Sequence, residues 1–137
     1  GFPLSMMNRW DIRFNNDVPL SLDINTGVGD SKLILGTLNI SILRVKMGAG
    51  DQVVDFTGYD GHLQDSEITC GVGDLTVRLP KDMNSWITVD SGVGDIRTDG
   101  FIKKDGIYRV SGYQDTVSGV TNIHIKQGVG TVTLMAV

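Results

Sequence analysis

Gly27-Val28-Gly29-Asp30, Gly48-Ala49-Gly50-Asp51, Gly71-Val72-Gly73-Asp74, Gly92-Val93-Gly94-Asp95 and Gly128-Val129-Gly130-Thr131 are five copies of one four-residue pattern, and their reading decides the fold. The first glycines lie 21, 23, 21 and 36 residues apart, so three intervals share nearly one length and the last carries about 15 more residues. Self-similarity at a period near twenty is the mark of a repeat architecture, in which each repeat buries its apolar face only against its neighbours.

Ahead of each copy, apolar and polar residues alternate with period two, the signature of a strand with one buried face. Aligned on the corner, the first inward column reads Leu22, Leu43, Ser66, Ile87, Ile123 and the second Ile24, Val45, Ile68, Val89, Ile125. The third reads Thr26, Met47, Cys70, Ser91, Gln127, and a fourth is expected at Val28, Ala49, Val72, Val93, Val129. Beyond the corner the apolar residues fall at Leu33 and Leu35, at Val54 and Phe56, at Leu75, Val77 and Leu79, at Ile96, and at Val132 and Leu134. From Val28 to Leu33 is an odd step, so the inward parity flips across the Gly-Asp pair. A phase change of one residue in a period of two requires a bulge or bend. The second glycine supplies it by taking a positive φ, and the Asp side chain by bonding nearby backbone N–H groups.

Equivalent residues share parity, so the copies can stack in register as parallel strands. A period of 21 to 23 residues holds about three short strands and their corners. The pattern therefore predicts an all-β chain, a single-stranded β-helix or β-solenoid-like stack of about five coils. An antiparallel β-sandwich is the alternative, because half-repeat turn signals such as Leu35-Gly36-Thr37 and Leu79-Pro80-Lys81-Asp82 also occur. Trp10-Asp11-Ile12-Arg13-Phe14 alternates like a further strand opening the stack. No helical periodicity is present.

Composition bounds the function. The 137 residues suit a single β-repeat domain over 1–137. Glycine at 18 residues, with 3 prolines and no Gly-X-Y period, means many corners rather than collagen. A net charge of −4 gives no electrostatic reason to approach nucleic acid or an anionic lipid surface. No apolar run is long enough to span a bilayer and no leader pattern is seen. The start at Gly1-Phe2-Pro3 without Met leads us to expect a longer protein, with any membrane anchor outside these residues. Cys70, the single cysteine, excludes an intrachain disulfide and reads as a small buried hydrophobe.

The Rossmann fingerprint needs a third glycine at its sixth position, where this chain has Lys32, Val53, Thr76, Arg97 and Thr133, and no Walker pattern occurs. Asp30, Asp51, Asp74 and Asp95 could hold calcium, since stacked carboxylates about 4.8 Å apart repel unless something bonds them. One carboxylate per coil is few for a cation that wants six or more oxygens, so turn capping is the favoured role. His62 and His124 are isolated and read as exposed structural residues, and no catalytic set, cofactor site or enzyme motif is found. The long last interval is where function is expected. Phe101, Lys103, Lys104, Tyr108, Arg109 and Tyr113 put aromatics and a basic cluster into an acidic chain, either as an end-cap or as a contact for a partner.

Asn8-Arg9-Trp10-Asp11-Ile12-Arg13-Phe14, Val18-Pro19-Leu20, Ile24-Asn25-Thr26-Gly27-Val28-Gly29-Asp30 and the late Asp99-Gly100-Phe101 together resemble the toast-rack family of bacterial envelope proteins. That family is similar to LiaF-type domains, linked to responses against cell-wall-active antibiotics, and to adhesin repeats. The resemblance implies a right-handed β-helix-like fold, tethering to the membrane by sequence outside the repeats, and no catalytic residues to carry over. It also implies a non-catalytic scaffold or adhesin-like module of the cell envelope, on either side of the membrane, which contacts a protein or cell-wall glycan and is tied to envelope-stress signalling; the alternative is a calcium-binding β-repeat domain or an enzyme whose site is assembled from residues distant in sequence. Thr131, where the pattern has Asp, departs from the family.

Overall fold

A computed structural model describes residues 2–3, 9–11, 20–34, 40–57, 65–80, 85–110 and 121–137. In chain order the strands are β1 (Phe2–Pro3), β2 (Arg9–Asp11), β3 (Leu20–Val28), β4 (Ser31–Ile34), β5 (Ile40–Ala49), β6 (Gln52–Asp55) and β7 (Asp65–Val72). They continue as β8 (Leu75–Leu79), β9 (Ser85–Val93), β10 (Ile96–Asp99), β11 (Phe101–Lys104), β12 (Ile107–Val110), β13 (Thr121–Val129) and β14 (Val132–Ala136). Among the described residues there is no helix. Each copy of the repeat is a long strand, the corner, and a short strand. The expected third segment of each period falls at 35–39, 58–64 and 81–84, outside the described residues.

The long strands form an eight-stranded sheet in the order β1-β3-β5-β7-β13-β9-β12-β11, and the short ones a six-stranded sheet in the order β10-β14-β8-β6-β4-β2. Pairing between repeat copies is parallel throughout, as for β3 with β5 and β14 with β8. This overturns the antiparallel sandwich alternative: the antiparallel pairs described are β11 with β12 and β12 with β9. Register follows the corner alignment along the core columns, with Thr26↔Met47, Met47↔Cys70 and Cys70↔Gln127 side by side, and shifts once, between Leu20 and Ser21 at the start of β3.

The copies do not stack in sequence order. The fifth corner lies between the third and the fourth, because β13 pairs with β7 on one side and β9 on the other. The 36-residue interval before it makes this possible. From β10 the chain crosses to β11 and returns in β12 along β9, so the direct route for an outward fifth coil is occupied, and the chain re-enters the stack one place earlier.

The core is the sum of the predicted columns. Leu22, Leu43, Ile87 and Ile123 are buried, as are Ile24, Val45, Ile68 and Ile125, and across from them Leu33, Val54, Leu75, Val77, Val132 and Leu134. Each such side chain contributes roughly 1.5–3 kcal/mol on burial. The fourth column is a correction. Val28, Val72, Val93 and Val129 are exposed, Val28 at 72%, and Ala49 is half-buried. The strand still pairs through this position, but the corner has carried it past the facing sheet, so nothing covers it. The parity flip itself is present, running from Thr26 to Ser31 and from Cys70 to Leu75, all buried.

The second glycine of every copy has positive φ, 124° at Gly29 and 123° at Gly73, which accounts for the bend. The first glycine of the later copies, Gly48, Gly71, Gly92 and Gly128, is constrained for another reason. A Cβ on Gly71 would sit 2.5 Å from the carbonyl oxygen of Gly48, and one on Gly128 equally close to that of Gly71. The backbones are stacked so closely at the corner that no side chain fits between them.

Candidate outer-face and corner sites

Side chains that point away from the core on the eight-stranded sheet form rows across the strands. One row runs Asp23, Arg44, Glu67, His124, Thr88, and the next Asn25, Lys46, Thr69, Lys126, Asp90. Strand spacing places neighbours about 4.8 Å apart, and the first row alternates in sign from Asp23 to Arg44 to Glu67. His124 Nδ1 and Thr88 Oγ1 are 2.7 Å apart, within hydrogen-bond reach. The surface between these side chains holds two shallow depressions of about 280 Å³ each, one between Asp23, Arg44, Lys46 and Glu67, the other beside Ile42, Asp65 and His124. Sequence reading passed over these rows because it followed the inward parity. The signal was available at the intervening positions, but the order of charges depends on the displaced fifth copy, which sets Lys126 between Thr69 and Asp90.

The corner carboxylates act on the backbone. Asp51 N–H donates to Asp30 Oδ1 at 2.9 Å, and Thr131 N–H to Asp74 Oδ1 at 3.2 Å. Asp30 and Asp74 thus each cap the equivalent residue of the next coil. Thr131 interrupts the stack between Asp74 and Asp95 rather than ending it. Among the described residues no group of three or more His, Cys, Asp or Glu side chains is arranged to hold a metal ion. Inside the corner, Gln52 Nε2 donates to Gly29 O at 2.9 Å, and Gln127 Nε2 donates to Gly73 O and, at 3.1 Å, to Val129 O. Two glutamines from different columns therefore satisfy carbonyls that the bend turns inward, a task the repeat pattern does not announce. Cys70 is buried in the same column, and burial, with the nearby Asp74 charge second, pushes its thiol pKa up.

The long interval divides its residues between two tasks. Phe101 and Tyr108 pack against the core at the end of the stack, and Val110 is buried. Lys103 Nζ lies 5.3 Å from the centre of the Tyr108 ring, and the Arg109 guanidinium 5.0 Å from that of Trp86. Lys104 and Ile102 are exposed. The hairpin therefore caps the apolar end while its charged side chains face out. Tyr113, His62 and Ile12 to Phe14 lie outside the described residues.

Residues 2–78 match the family model for the N-terminal domain of toast_rack, DUF2154. The chain belongs to this toast-rack family. The first three repeat corners, at Gly27, Gly48 and Gly71, lie within the matched residues of the toast-rack domain. Among solved structures, one from Clostridium sporogenes described as "a putative cell adhesion protein" superposes with a TM-score of 0.80 at 31% identity, covering 90% of this chain and 58% of that one. The toast-rack chain thus spans less than two thirds of that protein. Among curated proteins none matches it.

Proposed function

We infer that this toast-rack domain is a non-catalytic, adhesin-like contact module of the bacterial cell envelope, and that its coils wind as a β-helix-like solenoid. The observation that carries the reading is the outer face of the eight-stranded sheet, where charged side chains of alternating sign stand in register over shallow depressions. A face of that kind is shaped to meet another macromolecule rather than to enclose a small substrate. The adhesion description of the Clostridium sporogenes protein supports it. A protein partner is favoured over a glycan. Sugar rings stack on free aromatic faces, and the described ring at this face, Trp86, lies against Arg109. An anchor outside these residues would hold the module at the membrane, and a signalling protein of the envelope-stress response fits as the contacted partner.

The test is binding of the purified domain to isolated cell envelopes of the bacterium that carries it. Arg44→Glu with Lys46→Glu should reduce binding at least tenfold, while Lys32→Glu on the six-stranded sheet should leave it unchanged. Loss of binding after protease treatment of the envelopes supports a protein partner; loss after muramidase treatment instead makes the partner a glycan. Equal binding by both variants and the wild type overturns the assignment of the face.

A further inference from the structure

The terminal coil of the stack is half covered. Among the described residues β12 pairs with β9 at Tyr108↔Ile87 and Arg109↔Trp86, and the Asp105-Gly106 turn ends the hairpin beside the first half of β9. Along residues 89–99, no described strand lies against the outward edge of β9 or of β10.

The unfinished edge is visible in hydrogen bonds and in packing. Within the stack the second glycine of each corner donates to the neighbouring coil, Gly50 N to Val72 O at 3.0 Å and Gly73 N to Val129 O at 2.9 Å. Gly94 N, the equivalent donor of the terminal corner, has no such acceptor among the described residues. In the core column Ile24, Val45, Ile68 and Ile125 are 1% exposed or less, whereas Val89 at the same position is only partly buried. Ile96 is likewise half-exposed where Leu75 and Val132 are fully buried, and Ser91 Oγ is buried with no partner.

The opposite element is at hand on the same molecule. β11 is the last described strand of its sheet, so its outer edge also has no pairing among the described residues. The hairpin carries Lys103 and Lys104, both exposed, and the uncovered half-coil carries Asp90, Asp95 and Asp99, also exposed.

We propose that two copies of this chain associate about a two-fold axis, each laying its β11 edge against the uncovered half of the other's β9. The topology makes the fit reciprocal. β12 runs antiparallel to β9 and β11 antiparallel to β12, so β11 runs parallel to its own β9 and, after a two-fold rotation, antiparallel to the other copy's. The step beside each β9 is two strands wide, filled along one half by its own hairpin and along the other by the hairpin of the second copy. The four residues of β11 match the uncovered stretch from Asp90 to Val93. Strand alternation puts Lys104 on the outer face with Arg109 and Trp86, and Asp90 on that same face, so the contact sets Lys104 of each copy beside Asp90 of the other. The interface is a completed sheet edge with charge complementarity, and it leaves the charged rows of the inner strands free.

Sedimentation velocity on the full chain at high micromolar concentration tests the proposal. The expected species has twice the 14.8 kDa chain mass, and rising salt shifts it toward monomer. Lys104→Glu alone and Asp90→Lys alone should each halve the mass while the circular dichroism spectrum stays unchanged, and the two reversals combined should restore the dimer. A second measurement is independent of that swap: mixed Asp90→Cys and Lys104→Cys chains should form an interchain disulfide on oxidation, Cys70 being buried. A monomer at every concentration, a dimer indifferent to both single reversals, or a dimer without the crosslink overturns the proposal. None of these results bears on envelope binding by Arg44 and Lys46.

Discussion

The third and fourth copies of the repeat carry the same tetrapeptide, Gly71-Val72-Gly73-Asp74 and Gly92-Val93-Gly94-Asp95, yet they live under different constraints. The third is flanked by β5 and β6 on one side and by β13 and β14 on the other. Its donors are bonded, its carboxylate caps Thr131, and its column residue Ile68 is fully buried. Among the described residues the fourth has a neighbour on one side only along its corner, and its Val89, Ser91 and Ile96 are incompletely packed or bonded. Identical local sequence therefore carries unequal free energy, because the stabilising terms are interfaces between coils rather than properties of a coil.

Substitutions in matched pairs would break or sharpen this contrast. The largest effect is expected for Gly73→Val, which places a β-branched side chain at positive φ and drives it into the Gly50 carbonyl. A loss of about 3 kcal/mol or more in chemical denaturation is expected. Gly27→Ala, whose Cβ meets nothing within 4 Å, should stay within about 0.5 kcal/mol of wild type. Next comes the core column. Ile125→Ala should cost about 2–5 kcal/mol, and Val89→Ala, from a partly exposed site, about 1 kcal/mol.

Smaller is the cap. Asp74→Ala removes the acceptor for Thr131 N–H and should lower stability by about 1 kcal/mol, while Asp95→Ala, for which no capping bond is seen among the described residues, should be close to neutral in the monomer. A loss at Asp95 equal to that at Asp74 would mean that the carboxylates act by some route other than capping. The smallest effect belongs to Cys70. Its folded pKa is raised above the ordinary 9.0, so the unfolded chain ionises first. Stability contributed by keeping the thiol neutral is present below that value and falls as pH rises through it. Thermal melts of wild type should therefore decline more steeply above this pH than those of Cys70→Ala, and native Cys70 should resist alkylation at neutral pH.

Much of this fold was legible beforehand, and the failures have physical causes. The three inner columns, the parity flip at the corner and the burial of Cys70 all follow from period-two patterning and glycine chemistry. The fourth column was misplaced because alternation says which side of a strand a residue faces, and not whether anything stands opposite; Val93, 67% exposed, faces nothing. The hairpin was recognised as a departure from the repeat, with capping as one of its two readings. The rows around Arg44 and Lys46 went unread because outward positions of a strand are free to vary, and only assembly gives them neighbours.

By itself the sequence determined the unit: a strand, a glycine bend with an acidic cap, a second strand of opposite parity, and a preference for stacking in parallel register. Tertiary structure alone decided the order of the units. The contacts that join coils at the corner are backbone hydrogen bonds and glycine approaches, nearly the same for every copy, so any coil can dock on any other. Which one does is chosen by the β11–β12 hairpin, which lies along β9 and turns the fifth copy back into the stack.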